Sequence, residues 1–166
     1  MDFSFPRRLA FYLALVAGIV CCLWVRLCGA ETGVVTSVHD GDTVRIDKDL
    51  RCRVRFIDAP ELGQEGGIEA RDALRLLVLD RQVSYTVSDT DRYGRKVVSL
   101  KVKGLDVEAE LLKQGWAWVY RDYCKDTVCK EYRKLEDNAR LKKAGLWSNP
   151  YPTAPWEWRK TRRNKQ

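Results

Sequence analysis

The fold is indicated first by the stretch His39-Asp40-Gly41-Asp42-Thr43-Val44. A second informative stretch, Arg55-Phe56-Ile57-Asp58-Ala59-Pro60-Glu61, follows closely after it. Because Asp and Gly favour tight turns, residues 39–42 predict a turn between two short strands. A further turn signal, Asp91-Arg92-Tyr93-Gly94-Arg95, comes later in the chain. The three segments together hold several carboxylates in a fixed order with Arg55 and Arg95.

These residue types point to one kind of chemistry. Paired carboxylates can share a hard cation, and a further carboxylate can handle an attacking water. Arg55 and Arg95 present planar paired donors that match phosphate oxygens, which a lysine does not. Each fragment alone is a weak signal, but the ordered combination suits the hydrolysis of a phosphodiester.

The pattern of the chain predicts short strands joined by turns and interrupted by helices. The three arginines Arg51, Arg53 and Arg55 alternate with apolar residues, as in a strand with one polar face. Short, hairpin-linked strands fit an α+β fold built on a small closed β-barrel with helices better than a doubly wound sheet. Strands are predicted at 33–38, 43–46, 51–58, 83–89, 96–102 and 116–120, and helices at 69–80, 106–115 and from a cap at Asp126 to Gly145.

The ordered motifs from Gly33 to Trp147 resemble the staphylococcal-nuclease-like (thermonuclease) family. The resemblance implies an OB-fold five-stranded barrel with three α-helices. It also implies a cofactor, Ca²⁺, held by the carboxylates of Asp42 and Asp58 and by the backbone carbonyl of Ala59. The family often has Thr where Ala59 stands, and this difference removes a hydroxyl but keeps the carbonyl.

The resemblance also assigns roles around that cation. Arg55, Glu61 and Arg95 would be the catalytic residues, with both arginines on the scissile phosphate and Glu61 against the attacking water, as a general base or as a group that orients it. Tyr93 would contact the nucleotide, or else pack on the barrel. Asp40 would either support the cation ligands from behind or serve the turn alone.

The function implied is that of a calcium-dependent nuclease acting on DNA and RNA, preferably single-stranded or flexible. Water would attack in line and leave 3′-phosphate ends. The alternative is a catalytically silent OB-fold module that binds nucleic acid. Silent members of this fold commonly lose an acid or an arginine, whereas the whole set is present here, which favours the enzyme.

The start of the chain has the layout of a signal peptide. Arg7 and Arg8 precede an apolar run at residues 9–25, and small residues follow as far as Ala30. We therefore expect a secreted or periplasmic protein. The alternative is that residues 9–25 stay as a membrane anchor, with the nuclease domain outside the cytoplasm.

Export would place the cysteines that follow the leader in an oxidising compartment, where disulfides can form. Cys52, Cys124 and Cys129 follow the leader, and an oxidising compartment would let Cys124 and Cys129 form a disulfide. A zinc site is a poor alternative, because it needs four Cys or His ligands and the chain has one histidine, His39. Cys52 shares strand parity with apolar residues and is expected to be a buried free thiol.

Charge and size suggest one domain with a basic end. Residues 31–158 carry 22 basic and 22 acidic side chains, so most of the net charge of +7 lies in residues 159–166. We predict a leader at 1–30, the barrel domain at 31–149 and an extended Pro- and Trp-rich basic tail at 150–166. A monomer is expected.

Overall fold

The computed structural model describes residues 30–164, so all but the last residue of the predicted leader lies outside the described part of the chain. No helix within residues 30–164 is long and apolar enough to cross a membrane. The described strands are β1 Glu31–Val38, β2 Thr43–Ile46, β3 Leu50–Val54, β4 Ile57–Asp58, β5 Gln82–Thr90, β6 Lys96–Val102, β7 Leu105–Asp106 and β8 Trp118–Val119. The described helices are α1 Gly67–Val78, α2 Val107–Gln114, α3 Cys129–Leu141 and α4 Pro155–Arg163, with a 3-10 turn at Gly145–Ser148.

Five strands form the closed barrel that the sequence predicts. They are hydrogen-bonded in the order β3-β2-β1-β5-β6, and a parallel pairing of β3 with β6 closes the ring. Strand β7 pairs antiparallel with the end of β6. Strands β4 and β8 form a separate two-stranded antiparallel sheet. This is the OB-like α+β fold, and it places the β1–β2 turn beside the end of β3.

The barrel interior is filled by aliphatic side chains from the inward faces of the strands, sealed by α1 and α2. Their burial supplies the main stabilising free energy, at about 25 cal/mol per Å² of apolar surface removed from water. Cys52 is part of this core as a buried free thiol, as expected, and burial raises its pKa to about 11. The fully buried aliphatic residues include Val35, Ile46, Ile57, Leu74, Leu100, Leu111 and Leu112.

The described chain has four α-helices where three were expected. The additional helix, α4, replaces most of the predicted extended tail, because Pro155 occupies its first turn, where a missing N–H costs nothing. Helix α2 is capped as predicted: Asp106 Oδ1 accepts a hydrogen bond of 2.8 Å from the Ala109 N–H. Helix α3 begins at Cys129, so Asp126 lies outside it and is not its cap.

The predicted disulfide between Cys124 and Cys129 is present, with the two Cα atoms 5.7 Å apart. Both half-cystines are buried, and the bridge joins the segment after β8 to the first residue of α3. The bridge therefore fixes where α3 starts relative to the barrel.

Candidate active site

The β1–β2 turn brings its carboxylates to the open end of the barrel. The Asp42 N–H donates to Asp40 Oδ1 at 3.1 Å, so Asp40 serves the turn directly. Gly41 packs so closely that an added Cβ would lie 2.5 Å from the Ala59 Cβ and 2.9 Å from the Ala70 Cβ. Only glycine lets the turn approach the segment after β4. His39 is exposed beside the turn.

Asp42 and Asp58 are buried, and both form ion pairs with the same guanidinium group, that of Arg53. Asp42 Oδ2 accepts a 2.8 Å hydrogen bond from the Ala59 N–H, and the Asp58 side chain is fully buried. The Arg53 guanidinium forms an ion pair with Asp42 Oδ1 and another, at 2.7 Å, with Asp58 Oδ1. Burial lowers the pKa of Arg53, although the neighbouring carboxylate of Asp58 opposes the shift.

The structure places Arg53, rather than the predicted Arg55, between the two carboxylates. Strand β3 ends at Val54, and Phe56 follows with a φ of +66°, a left-handed conformation that is rare for a bulky side chain. The strand was predicted to continue through this point. Arg55 still borders the same cleft, but its guanidinium lies over the Phe56 ring and 3.2 Å from Asp126, and it does not contact Asp42 or Asp58. We therefore replace Arg55 by Arg53 in the candidate site.

A signal for Arg53 does exist in the sequence. The residues between Ile46 and Leu50 form a tight hairpin, and this hairpin pairs Thr43 with Arg53. Counting the hairpin register back from its turn would have placed Arg53, and not Arg55, next to Asp42. Without the turn geometry, the alternating arginines of β3 look equivalent.

Glu61 faces the same cleft, with 42% of its side chain exposed. Its Oε1 accepts a 2.9 Å hydrogen bond from Arg159 Nη1, and the same guanidinium reaches Asp58. Sequence analysis did not identify Arg159, since it belongs to the segment expected to be an extended basic tail. No local sequence signal would have placed it in the cleft.

Arg95 is held at the opposite side by the turn between β5 and β6. Its Nε donates to Asp91 Oδ2 at 2.7 Å and its Nη1 to Thr43 Oγ1 at 3.1 Å, and Thr43 in turn donates to Asp42 Oδ1. Burial acts to raise the pKa of Asp91, but hydrogen bonds from the Arg95 side chain and from backbone N–H groups outweigh it and lower that pKa. Arg95 is therefore linked to Asp42 through one hydroxyl.

These groups line one cleft of about 1000 Å³. Tyr93 lies at its edge with 64% of its surface exposed, so it does not pack on the barrel, and the Arg95 guanidinium is 5.6 Å from its ring centroid. The buried Trp118 and Trp147 instead pack edge-to-face at 4.9 Å, as core residues. The cleft combines buried acids, arginines and an exposed aromatic ring.

The donor set is compatible with a hard cation, although within residues 30–164 no group of three or more His, Cys, Asp or Glu side chains clusters as a metal site. One oxygen of Asp42 and one of Asp58 lie on the two terminal nitrogens of the same guanidinium, so the two carboxylates are close to each other. The Ala59 backbone lies against Asp42, which brings a carbonyl-bearing segment to the same place. Carboxylate and carbonyl oxygens are the ligands that Ca²⁺ prefers.

Fold and cleft together define a small OB-type barrel with an acid–arginine site suited to a phosphodiester. Residues 51–149 match the family model described as staphylococcal nuclease homologue, and the chain belongs to this family. Helix α4 lies outside the matched residues.

Individual relatives agree with that assignment. A Shigella flexneri protein named micrococcal nuclease is 34% identical over 168 residues, covering 94% of this chain and 96% of that protein. An uncharacterized endonuclease of Escherichia coli O157:H7 is 38% identical over 140 residues, covering 82% and 90%. The probable staphylococcal-like nuclease CAN1 of Oryza sativa subsp. japonica is 40% identical over 117 residues, which cover 70% of this chain but 34% of that protein.

Proposed function

We propose that this protein is a calcium-dependent nuclease that hydrolyses phosphodiester bonds of DNA and RNA. The observation that carries the proposal is the convergence of Asp42, Asp58, Glu61, Arg53 and Arg95 on one cleft. The names of the relatives and the family membership support the same class of substrate.

The two arginines bind the phosphate. Arg53 is 13% exposed and Arg95 is 20% exposed, so both guanidiniums are largely shielded from water, where a charge–charge contact is stronger. Each is held by a carboxylate, which limits its motion before substrate arrives. Their charge is therefore preorganised for the negative charge that the pentacoordinate phosphorus develops.

Glu61 accepts a hydrogen bond from the attacking water. The water oxygen forms a bond to phosphorus in line with the P–O5′ bond, which breaks with its electron pair leaving on the 5′ oxygen. The water's proton passes to the Glu61 carboxylate or, where Glu61 only orients the water, to solvent. The 5′ oxygen takes up a proton from solvent, and the phosphate stays on the 3′ side. No covalent enzyme intermediate forms, so the chain needs no nucleophilic serine or cysteine.

Asp42, Asp58 and the Ala59 carbonyl would hold the cation, and Ca²⁺ bound there would supply positive charge to the phosphate without a proton of its own. The Asp42 carboxylate is oriented before any cation binds, because Thr43 and Ala59 donate hydrogen bonds to its two oxygens. With only two carboxylates, the site is expected to be weak until a phosphate oxygen joins it.

Degradation of denatured DNA and of RNA by the purified protein tests the proposal. We expect activity with Ca²⁺, little with Mg²⁺, which demands tighter geometry, and none with chelator. The DNA products should carry 3′-phosphates, so a polymerase should extend them only after phosphatase treatment. Asp58→Asn should abolish cleavage, while the matched control Asp137→Asn, on the exposed face of α3, should not.

Binding of nucleic acid without cleavage under every cation condition would instead identify a silent binding module. Equal rates in Mg²⁺ alone would overturn the calcium assignment but not the nuclease.

We also propose that the protein is exported. The charged and apolar order of residues 7–25 and the buried Cys124–Cys129 disulfide support an oxidising compartment. Fractionation of cells that make the full chain, with N-terminal sequencing of the recovered protein, distinguishes a cleaved leader from a retained anchor.

A further inference from the structure

Helix α4 brings a further arginine into the cleft from outside the residues that match the family. Arg159 Nη2 lies 2.6 Å from Asp58 Oδ2, and Arg159 Nη1 lies 3.2 Å from Asp58 Oδ1. Nη1 also lies 2.9 Å from Glu61 Oε1. One guanidinium thus spans both oxygens of one carboxylate and reaches a second carboxylate, which is the geometry for which arginine is suited.

This contact differs from an ordinary surface ion pair, which contributes roughly 0–1 kcal/mol at most. The Asp58 side chain is fully buried, and 36% of the Arg159 side chain is exposed. A planar guanidinium that bridges two acids limits how each can move, so the contact fixes Glu61 relative to Asp58.

The position of α4 depends on contacts that do not involve Arg159. The Trp156 ring stacks on the Tyr120 ring with centroids 6.4 Å apart and an angle of 4° between the planes. Gln64 Nε2 donates to the Thr153 carbonyl at 2.6 Å, just before the helix, and Pro155 is buried. These contacts hold the helix on the domain without Arg159. The position of the helix therefore places Arg159 beside Asp58 and Glu61.

We propose that Arg159 is a positioning residue that holds Glu61 for the reaction and competes with the cation for Asp58. This inference rests on the proposed function. The Asp58 oxygens that bind the guanidinium are those that would bind Ca²⁺, so each occupant weakens the other. The Arg159–Glu61 contact uses a separate carboxylate and does not compete with the cation for Asp58.

The two roles give opposite effects when Arg159 is removed. Loss of a positive charge beside Asp58 strengthens cation binding, while loss of the bridge lets Glu61 move and slows turnover. A merely structural arginine would weaken cation binding and turnover together, because the cleft as a whole would loosen.

The experiment uses the full chain and the variants Arg159→Gln, Arg159→Lys and Arg163→Gln. Arg163 is an exposed residue of the same helix, so its substitution makes the same change of charge outside the cleft. Ca²⁺ affinity is measured by calorimetry without nucleic acid, and kcat and KM on a short single-stranded oligonucleotide at saturating Ca²⁺. Thermal unfolding reports whether each variant is folded.

We expect Arg159→Gln to bind Ca²⁺ at least about fivefold tighter, as for removal of one nearby positive charge. Its kcat should fall on the order of a hundredfold, the cost of a misplaced reacting group. Arg159→Lys keeps the positive charge, so its Ca²⁺ affinity should stay within about twofold of wild type. Its kcat should still fall, because a single ammonium group cannot bridge Asp58 and Glu61 with paired N–H donors as the guanidinium does. Arg163→Gln should change neither quantity by more than about twofold.

Unchanged kcat in Arg159→Gln overturns the positioning role, and unchanged or weaker Ca²⁺ binding overturns the competition. If Arg159→Gln proves unfolded, the lysine variant decides the positioning role by its kcat. A wild-type protein that binds Ca²⁺ but cleaves nothing would defeat the proposed function, while the calorimetry would still decide the competition. A wild-type protein that binds no Ca²⁺, either alone or with a nucleotide phosphate present, defeats the competition and the calcium part of the proposed function together.

Discussion

Thr43 and Arg53 are cross-strand partners in the β2–β3 ladder. This pairing sets the Arg53 side chain beside Asp42, the residue before Thr43, and directs its second nitrogen to Asp58. The Thr43 hydroxyl also accepts a hydrogen bond from Arg95. One hairpin pair therefore connects the buried acids to both arginines of the proposed phosphate site.

Replacement of Arg53 by lysine is expected to reduce kcat by about a hundred- to a thousandfold, the cost typical of losing one preorganised donor. The charge is retained, so the deficit would come from lost paired donors. The matched change Arg55→Lys should leave kcat within about threefold, because that side chain pairs with the half-exposed Asp126. Steady-state kinetics on denatured DNA makes the comparison, and a larger loss in the Arg55 variant would restore the assignment of Arg55.

Arg95→Lys should likewise lower kcat far more than it lowers thermal stability. Lysine cannot contact Asp91 and Thr43 at once as the guanidinium does at 2.7 and 3.1 Å. Arg92→Lys, in the same turn but exposed, is the control. Wild-type turnover in Arg95→Lys would show that Arg95 serves only the turn.

The Cys124–Cys129 bridge is expected to stabilise the fold by about 2 kcal/mol, since it closes a short loop. Neither cysteine lines the cleft, so reduction should lower the melting temperature and leave most activity at room temperature. Thiol titration of denatured protein from its native compartment should find one thiol after the leader, Cys52. That thiol should be unreactive before denaturation, since burial raises its pKa to about 11. Three reactive thiols would contradict the bridge.

Glu108 predicts a dependence of stability on pH. Burial, with a smaller contribution from Asp106, raises its pKa from 4.5 to about 8. Between these values the folded protein keeps a proton that the unfolded chain has released, so this group stabilises the fold most below about pH 4.5. That stabilisation is lost as the pH rises towards about 8.

Chemical denaturation at several pH values between 5 and 8.5, about the window set by those pKa values, measures the effect. In Glu108→Gln, the free energy of unfolding should fall less steeply between about pH 5 and 8, because the amide does not titrate. The variant should still fold, because the amide oxygen can accept the hydrogen bond from the Leu100 N–H. Glu131→Gln, on the exposed face of α3, is the control and should follow wild type. Identical pH profiles for wild type and Glu108→Gln would contradict the raised pKa.

The sequence by itself determined the barrel and the kind of chemistry. Strand periodicity, turn residues and their order are local properties, so they predict β1, β2, β5 and β6 closely. The disulfide followed from the spacing of two cysteines, and the motifs identified the family. The acids at 42, 58 and 61 line one cleft, because a short turn and a strand end confine them.

The three-dimensional structure decided which arginines reach those acids, through the register of the local β2–β3 hairpin for Arg53 and through packing of distant segments for Arg159. Arg53 and Arg55 have the same local pattern, and the difference between them is the hairpin register and the left-handed backbone at Phe56. Arg159 is about a hundred residues from Asp58 in sequence, and the stacking of Trp156 on Tyr120 helps to hold α4 there. Such contacts depend on packing between distant segments, which no local pattern encodes.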